Sequence, residues 1–244
     1  MRVHYDFSGH VVLIAGAGSG LGLAMTRACL NAGATVVASD IATDALAAID
    51  DPRLFWSPLD VTDSRAVAAH VSAAATRHGR IDAAVLASGI QRRILVEDMS
   101  DQDWLCHIDV NLNGIFYLVR ALFPVMKAQR RGSMIVFTSG LATGGWPGAT
   151  AYGASKAALI ALVKSAAQEL RPFGVRINAV SPGIMHTPLF HDSASDDEVR
   201  MYERSLGVSQ PEEVAPMLMH LISDGSMTVS GNVIERRLIP RAEA

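Results

Sequence analysis

The sequence contains few cysteines and no clusters of metal-ligating side chains. Its 244 residues include two cysteines, Cys29 and Cys106, which do not form a CxxC pair. Neither a disulfide framework nor a thiolate metal site is therefore expected, and both cysteines are interpreted as small core residues. The eight histidines are scattered without an HExxH pattern. The sequence thus predicts no metal site and argues against a metal hydrolase.

Excess positive charge and long apolar runs are also absent. Lysine and arginine number 21 against 24 aspartates and glutamates, for a formal charge of -3. This balance lacks the basic footprint of nucleic-acid-binding proteins, so no nucleic acid partner is predicted. No stretch approaches the ~18 uninterrupted apolar residues of a membrane span, and the N-terminal sequence lacks the apolar core of a signal peptide. We therefore expect no membrane association and a cytoplasmic location.

The length and apolar content suit a single domain. A chain of 244 residues, 50% of them hydrophobic, can bury a large core without disulfides or a structural metal. It contains no repeat, low-complexity segment or linker. Residues 1–244 are therefore predicted to form one domain.

Short runs rich in valine and isoleucine alternate with longer alanine-rich segments of helical period. This alternation is typical of repeated βα units, and it predicts a seven-stranded, mostly parallel sheet with helices on both faces. The predicted strands are Val11–Ala15, Thr35–Ser39, Leu54–Ser57, Ala83–Leu86, Ser133–Thr138, Arg176–Val180 and Asn232–Glu235. The predicted helices are Leu21–Asn31, Thr43–Ile49, Ser64–His78, Gln102–Gln129, Ala151–Arg171 and Glu212–Ser223. Gly79 and Gly174 stand where helix C-caps are expected.

Residues 185–210 are the only long stretch without a strong period. A structureless insertion of this length in a compact domain is more often functional than accidental, so the segment is predicted to be a substrate lid. Its acidic run, which includes Asp196, Asp197 and Glu198, would on its own be a solvated face.

A glycine cluster follows the first predicted strand. Gly16, Gly20 and Gly22 form a GxxxGxG pattern immediately before a helix. Glycines permit a tight turn there and let backbone N–H groups at the helix start approach a pyrophosphate. Leu21 occupies the place of the third glycine in the more common GxGxxG fingerprint. Taken alone, the cluster also fits ordinary turn glycines or a methyltransferase cofactor loop.

Two aspartates follow the next two strands. Asp40 ends the second strand, where a carboxylate can accept hydrogen bonds from ribose hydroxyls and repel a 2′-phosphate. A turn or helix-start aspartate is the structural alternative. Asp60 follows the third strand and could contact an adenine amino group, although in isolation it would be interpreted as a helix cap.

The strongest chemical signal is the pair Tyr152 and Lys156 near the start of an alanine-rich helix. Residues four apart lie on one helical face, so a phenol and an ammonium can be held side by side. A nearby positive charge favours the phenolate and lowers the pKa of a tyrosine from its usual ~10. An exposed, purely structural Tyr/Lys pair would show the same spacing.

Polar residues follow two later strands. Ser139 comes directly after a predicted strand, at the carboxyl edge of the sheet where ligands bind in open α/β folds. Its hydroxyl could hold a substrate oxygen near Tyr152, or it could be an ordinary loop or capping serine. Pro182 and Gly183 follow another strand, and Thr187 lies where it could bind a nicotinamide carboxamide.

Together these residues resemble the classical short-chain dehydrogenase/reductase family, and the resemblance covers essentially the whole chain. It implies an α/β fold consisting of a single doubly wound Rossmann-type domain. The matching motif residues are Gly16, Gly20, Gly22, Asp60, Asn111, Ser139, Tyr152, Lys156, Pro182, Gly183 and Thr187. The residues predicted to contact the cofactor are Gly16, Ser19, Gly20, Leu21, Gly22, Asp40, Asp60, Val61, Gly89, Tyr152, Lys156, Pro182, Gly183 and Thr187.

The resemblance implies an NAD(H)-dependent oxidoreductase that interconverts a secondary alcohol and a ketone, with Asp40 favouring NAD. In this catalytic set, Tyr152 exchanges a proton with the substrate oxygen, which Ser139 orients and polarises. Lys156 lowers the pKa of Tyr152 and binds the nicotinamide ribose. Asn111 holds a water that connects Lys156 to solvent, whereas in isolation it reads as a mid-helix packing residue.

The chain departs from the family pattern in three places. Ala15 replaces the usual threonine, and Leu86–Gly89 reads Leu-Ala-Ser-Gly where Asn-Asn-Ala-Gly is usual. Both changes remove side-chain hydrogen bonds between the first and fourth strands. Residues 236–239 replace the usual Val-Asp-Gly-Gly near the C-terminus, a region that often borders subunit interfaces. We nevertheless expect a homotetramer, since Ala157, Ala161 and Leu162 indicate a small apolar helix surface.

Two further functions compete with this interpretation. A catalytically silent NAD-binding regulator or scaffold would share the fold but would not need the complete catalytic set. A methyltransferase would explain the glycine loop but would leave Tyr152 and Lys156 without a role. The sequence does not name the substrate. Candidate specificity residues are Gln91, Arg92, Arg93, Leu141, Trp146, Met185 and His191.

Overall fold

A computed structural model describes residues 3–236, which form one seven-stranded sheet with helices on both faces. The strand order is β3-β2-β1-β4-β5-β6-β7, and every pairing among the described residues is parallel. The strands are β1 Val11–Ala15, β2 Thr35–Asp40, β3 Leu54–Pro58, β4 Ala83–Leu86, β5 Gly132–Phe137, β6 Val175–Ser181 and β7 Val233–Glu235. The helices are α1 Gly20–Asn31, α2 Asp44–Ala47, α3 Ser64–His78, α4 Asp101–Ile108, α5 Gly114–Gln129, α6 Leu141–Gly144, α7 Thr150–Leu170, α8 Pro188–His191, α9 Asp196–Ser205 and α10 Pro211–Ile222.

The central strands contain runs of consecutive apolar residues because helices cover both faces of the sheet. Along β1, Leu13 belongs to the hydrophobic cluster that includes residues of α3, α5 and α7. Its neighbour Ile14 points the other way, into the cluster that includes residues of α1 and α10. A strand buried on both faces needs apolar residues at consecutive positions, so no polar alternation appears. The predicted doubly wound α/β architecture is confirmed, with a sheet that is parallel throughout the described residues.

The strand order reverses between β1 and β4, so this fold has its topological switch point beside β1. Chain segments leaving the carboxyl ends of β1 and β4 diverge to opposite faces of the sheet and leave a crevice between them. Ligands of open α/β sheets bind in this crevice.

The helix predictions agree with the structure except in two places. Helix α3 has the predicted bounds, and it ends at Gly79, a left-handed C-cap with φ of 73°. Gly174 likewise has a positive φ of 67° and caps a short 3₁₀ turn after α7. Helix α2 is shorter than predicted. The long helix predicted over 102–129 contains a π-helical turn, Asp109–Asn113, between α4 and α5.

The helical run Asp101–Gln129 is long and apolar enough, by length and composition, to cross a membrane. Core helices of globular proteins meet the same criterion. In this structure Ile115, Leu118 and Leu122 of α5 are buried in the core cluster between the sheet and its covering helices.

The prediction that residues 185–210 lack regular structure was wrong. The segment contains α8 and α9, and Met185 forms a parallel bridge with Ser209. Helix α9 begins with a capping box, in which the Ser195 side chain accepts from the backbone of Glu198 and the Glu198 side chain accepts from the backbone of Ser195. The acidic residues form its first turn, where the helix dipole favours negative charge. The assignment of this segment as a substrate lid stays a prediction.

Of residues 236–239, where the C-terminus departs from the family pattern, the structure describes only Arg236. Residues 237–239 lie outside the described residues, as do both ends of the predicted 1–244 domain. Arg236 donates its backbone N–H to Ser181 O and its guanidinium to Pro182 O and Ser209 Oγ. The described start of the tail is thus bonded to the loop that follows β6.

Candidate functional site

A cleft opens at the carboxyl edge of the sheet, beside the switch point. Its wall is formed largely by residues that follow strands β1 to β6, which are far apart in the sequence. Every residue predicted to contact the cofactor lines this cleft except Gly183, which is the neighbour of the lining residue Pro182. Met185, a candidate specificity residue, also lines the cleft. The remaining lining residues had no predicted role at the site, and they are Ile41, Leu59, Ala87, Ser88, Ile90, Val110, Phe137, Thr138 and Leu189.

The glycine loop brings the start of α1 to the cleft. Ser19 is the N-cap residue, but its side chain makes no capping hydrogen bond, and the first turn contains no acidic residue. No side chain therefore occupies the free N–H groups at the helix start or offsets the positive end of the helix dipole. An anion such as a pyrophosphate could bind there. Gly16 has a φ of 78°, and a β-carbon there would lie 2.4 Å from Ser88 N, so only glycine fits between the two loops.

Asp40 is held in place by the loops on either side of it. One carboxylate oxygen accepts from Gly18 N at 2.8 Å, and the other accepts from Ala42 N at 3.1 Å. The carboxylate therefore stands at the edge of the cleft, bonded to the glycine loop. A purely structural role as a turn aspartate does not account for this position, because Asp40 also lines the cleft.

Asp60 lies in the cleft wall and is not the cap of the following helix. Its Oδ1 accepts from both the backbone N and the Oγ1 of Thr62. The N-cap of α3 is Asp63, whose carboxylate accepts from Arg65 N and Ala66 N. The structure thus excludes the capping role for Asp60 and leaves its carboxylate at the cleft.

Helix α7 positions Tyr152 and Lys156 one turn apart, and both side chains are buried. The Lys156 Nζ lies 5.7 Å from the centroid of the Tyr152 ring and donates to Phe137 O at 2.9 Å. The Ser139 side chain lies close enough to the Tyr152 hydroxyl to lower the pKa of the phenol. Ser139 Oγ also accepts from Leu141 N at 3.2 Å, which fixes its loop. Tyr152 and Lys156 therefore line the cleft, and the predicted catalytic Ser139 lies beside Tyr152.

Burial governs the titration of this cluster. It raises the pKa of the Tyr152 phenol above its usual value, and the nearby Ser139 side chain lowers that pKa in part. Burial also lowers the pKa of Lys156 to about 8. The prediction that Lys156 lowers the Tyr152 pKa is thus not seen in this arrangement, since desolvation of the phenol is the larger effect.

Asn111 lies in the π-helical turn, and its side chain clamps the loop after β4. Its Oδ1 accepts from Ile90 N at 2.8 Å, while its Nδ2 donates to Ile90 O and to Ser155 Oγ. A β-carbon on Gly89 would stand 3.3 Å from that Oδ1 and 3.5 Å from Lys156 Nζ. The Asn111 side chain therefore holds the loop beside Lys156, and its predicted water-holding role stays a prediction.

His107 is a positioning residue that sequence reasoning missed. It is one of the eight scattered histidines to which no role was assigned, and it is fully buried in α4. Its Nε2 accepts from Arg92 N at 3.0 Å, and its Nδ1 donates to Asp103 O at 2.8 Å. A neutral ring protonated on Nδ1 satisfies both bonds. His107 and Asn111 thus hold the same loop. They are four residues apart, and this spacing, which places both side chains on one helical face, was the sequence signal that could have indicated it.

Where the chain departs from the family at β1 and β4, backbone hydrogen bonds join the strands. Ala87 N donates to Ala15 O at 2.8 Å, while Gly16 N and Ala17 N both donate to Ser39 O. The contact between the loops after β1 and β4 is therefore kept without side-chain bonds from either position.

The comparisons with known proteins agree with this geometry. A family model described as enoyl-(acyl carrier protein) reductase matches residues 16–235. The 3-oxoacyl-[acyl-carrier-protein] reductase FabG of Thermotoga maritima is 37% identical over 238 residues, which cover 93% of this chain and 95% of the relative. A 3-alpha-(or 20-beta)-hydroxysteroid dehydrogenase of Mycobacterium bovis is 34% identical, covering 91% of this chain and 86% of the relative.

A solved structure titled "Crystal structure of gox2181" superposes with a TM-score of 0.86 at 30% identity, and the match covers 94% of this chain and 95% of that one. The glycine loop, the serine, tyrosine and lysine at the cleft, and these similarities along almost the whole length lead to one conclusion. The chain belongs to the classical short-chain dehydrogenase/reductase family of oxidoreductases.

Proposed function

We propose that this protein is an NAD(H)-dependent dehydrogenase/reductase that interconverts a secondary alcohol and a ketone. The observation that carries the proposal is that Tyr152 and Lys156 line one cleft with the glycine loop and Asp40, and that Ser139 lies beside Tyr152. The named relatives support the reaction class, because 3-oxoacyl groups and hydroxysteroids both react at a hydroxyl or carbonyl carbon.

The bound nicotinamide would accept a hydride from the alcohol carbon during oxidation and return it during reduction. Ser139 donates a hydrogen bond to the substrate oxygen and fixes it beside Tyr152. The Tyr152 phenolate takes the hydroxyl proton during oxidation, and the phenol returns it during reduction. Lys156, held by Phe137 O, lies beside the ring and supplies a donor for a ribose hydroxyl.

The raised pKa of Tyr152 sets the expected pH dependence of each direction. Oxidation needs the phenolate, whose population grows as the pH rises towards the raised pKa. Reduction needs the phenol, which is already the main form at neutral pH. Oxidation should therefore speed up in alkaline solution, while reduction should not.

Asp40 supports NAD over NADP. Its carboxylate is fixed at the end of β2 by two backbone N–H groups, where it can accept bonds from ribose hydroxyls. A 2′-phosphate placed there would meet a negative charge, and the next residue, Ile41, offers no cation to offset it.

The competing proposal of a silent NAD-binding regulator is less well supported. A binding module has no need to bury a lysine beside a tyrosine, since burial disfavours the charged form of Lys156. Groups with perturbed pKa values in a cleft are more often catalytic.

A screen for NADH formation over a panel of secondary alcohols and polyols tests the function. Wild type should produce NADH with at least one member, and Tyr152→Phe should not. Wild type that binds NAD but oxidises no member of a broad panel would favour the regulator.

We further propose a homotetramer in the cytoplasm. Support for assembly comes from apolar side chains left exposed on one helical run, Trp104, Leu105 and Phe116 of α4 and α5, and from the exposed Ala161 of α7. Light scattering should report four copies, and a monomer at micromolar concentration would overturn this assignment.

A further inference from the structure

One carboxylate oxygen of α9 joins this helix to two separate loops. Glu198 Oε1 forms an ion pair with Arg93, in the loop after β4, and also accepts from Trp146 Nε1 at 3.3 Å, just before α7. The other oxygen, Oε2, accepts from Ser195 N in the capping box. Glu198 thus caps its own helix with one oxygen and binds the body of the protein with the other.

This ion pair is partly buried, whereas the adjacent charged residues Arg92 and Asp197 are exposed. The side chains of Arg93 and Glu198 are 16% and 27% exposed, whereas Arg92 is 60% and Asp197 is 92% exposed. A backbone bond from Ser195 and the pairing with Arg93 lower the pKa of the Glu198 carboxyl, so it stays ionised at neutral pH. A partly buried pair is screened less by salt than an exposed one, and removal of one partner leaves the other charge without its counter-ion.

Aromatic contacts connect this ion pair to the cleft. The Tyr202 ring of α9 packs against Trp146 at 5.8 Å and against Phe190 of α8 at 6.0 Å between centroids. Phe190 follows Leu189, which lines the cleft together with Met185. The position of α9 is therefore mechanically linked to residues 185–190, which form one wall of the site.

We propose that Arg93, Trp146 and Glu198 form a latch that holds segment 185–210 closed on the cleft, and that this latch is a specificity determinant. A closed segment excludes water and admits only substrates that fit beneath it. The latch keeps bulky alcohols out and favours small ones. The specificity part rests on the proposed oxidoreductase function, whereas the closure is a property of the protein without substrate.

Hydrogen exchange of residues 195–206 tests the closure directly. Arg93→Met removes the cation and leaves the capping box intact, while Glu198→Gln keeps an amide oxygen for the cap and removes the charge. Arg92→Met and Asp197→Asn are matched controls, because each makes the same charge change one residue away from the latch. Arg92 pairs with Asp103, and Asp197 pairs with Arg200 within α9.

We expect exchange in α9 to accelerate at least about tenfold in both latch variants and to change little in both controls. The double variant Arg93→Met/Glu198→Gln should exchange no faster than the quicker single variant, because both changes break the same pair. Unchanged exchange in the latch variants, equal acceleration in the controls, or additive effects in the double variant would each overturn the latch.

The specificity part needs a substrate from the alcohol screen. The ratio of kcat/KM for a bulky secondary alcohol to that for a small one should rise about tenfold in Arg93→Met, while the Kd for NAD stays unchanged. An unchanged ratio in a variant whose α9 exchanges faster would overturn the specificity role. If wild type oxidises nothing, the proposed function fails, and the exchange experiment still decides whether the latch exists.

Discussion

The cofactor side of the cleft and segment 185–210 are held in place by different means. The strands β1, β4, β5 and β6 are buried at every position, so the loops that leave them start from fixed points. Only four residues of segment 185–210 are buried, namely Thr187, Tyr202, Gly207 and Ser209. Core packing fixes the first region, whereas the second depends on a few polar and aromatic contacts. The difference suits a rigid catalytic cluster beside a segment that can open.

The largest expected effect is a difference in turnover between two variants, each of which changes the buried tyrosine of one region to phenylalanine. Tyr152→Phe removes the hydroxyl that exchanges the proton in the proposed mechanism and preserves the ring packing. Turnover should fall by ~100- to 10,000-fold with little change in NAD affinity. Tyr202→Phe should lower turnover far less, because Tyr202 lies in α9 and packs on Trp146. Steady-state kinetics and NAD titration check both variants. Near-normal turnover in Tyr152→Phe would contradict the mechanism.

The second prediction concerns the free energy of unfolding of the protein without NAD. Burial lowers the pKa of Lys156 from its usual 10.5 to about 8. Between these pH values the unfolded state binds more protons, so stability rises with pH. Below pH 8 the buried charge is a constant cost, which Lys156→Met removes. The variant should therefore be more stable than wild type at pH 7, by of order 1–3 kcal/mol.

Urea titrations at several pH values check this prediction. The advantage of Lys156→Met should shrink from pH 8 upward and vanish near pH 10.5, the unfolded-state value. Lys164→Met, at an exposed position on the same helix, is the control. A variant that is less stable than wild type at pH 7, or whose advantage is the same at every pH, would show that Lys156 is not strained by burial.

The contrast between the regions also explains what the sequence could predict. The cofactor side follows strands that appear as continuous apolar runs, and its site residues stand within a few positions of those strands. Helix α9 buries only Tyr202 and is otherwise dominated by charged residues, so its sequence resembles a solvated stretch rather than a core helix. Its signal was the Ser195–Glu198 capping box, which is easily taken for an acidic loop. The pairing of Arg93 with Glu198 spans 105 positions, and no local pattern records it. The burial of His107 depends in the same way on tertiary contacts.

The third prediction tests whether cofactor choice resides on the rigid side. Asp40→Ala should reduce the preference for NAD over NADP by at least about tenfold, because it removes the charge that repels a 2′-phosphate. Asp60→Ala should weaken both cofactors alike, since the adenine is common to them. Fluorescence titration with both cofactors measures the ratio. Equal or tighter binding of NADP by wild type would contradict the assignment of Asp40.

The smallest expected effect is the loss of stability when a helix cap is removed, compared between the two regions. Asp63 caps α3, whose Val67, Val71 and Ala74 are buried in the core, so Asp63→Ala should lower the urea midpoint of the whole domain. Ser195 caps α9, which contributes only one buried side chain. Loss of a serine cap costs ~1 kcal/mol, but here the cost should appear as local opening.

Ser195→Ala should therefore accelerate hydrogen exchange in residues 195–205 by about fivefold and leave the urea midpoint unchanged. Asp63→Ala should have the opposite pattern, with a lower midpoint and unaltered local exchange in α9. If Ser195→Ala lowered the midpoint as much as Asp63→Ala does, segment 185–210 would unfold together with the core. The segment could not then open independently during turnover, and a closing latch would have nothing to regulate.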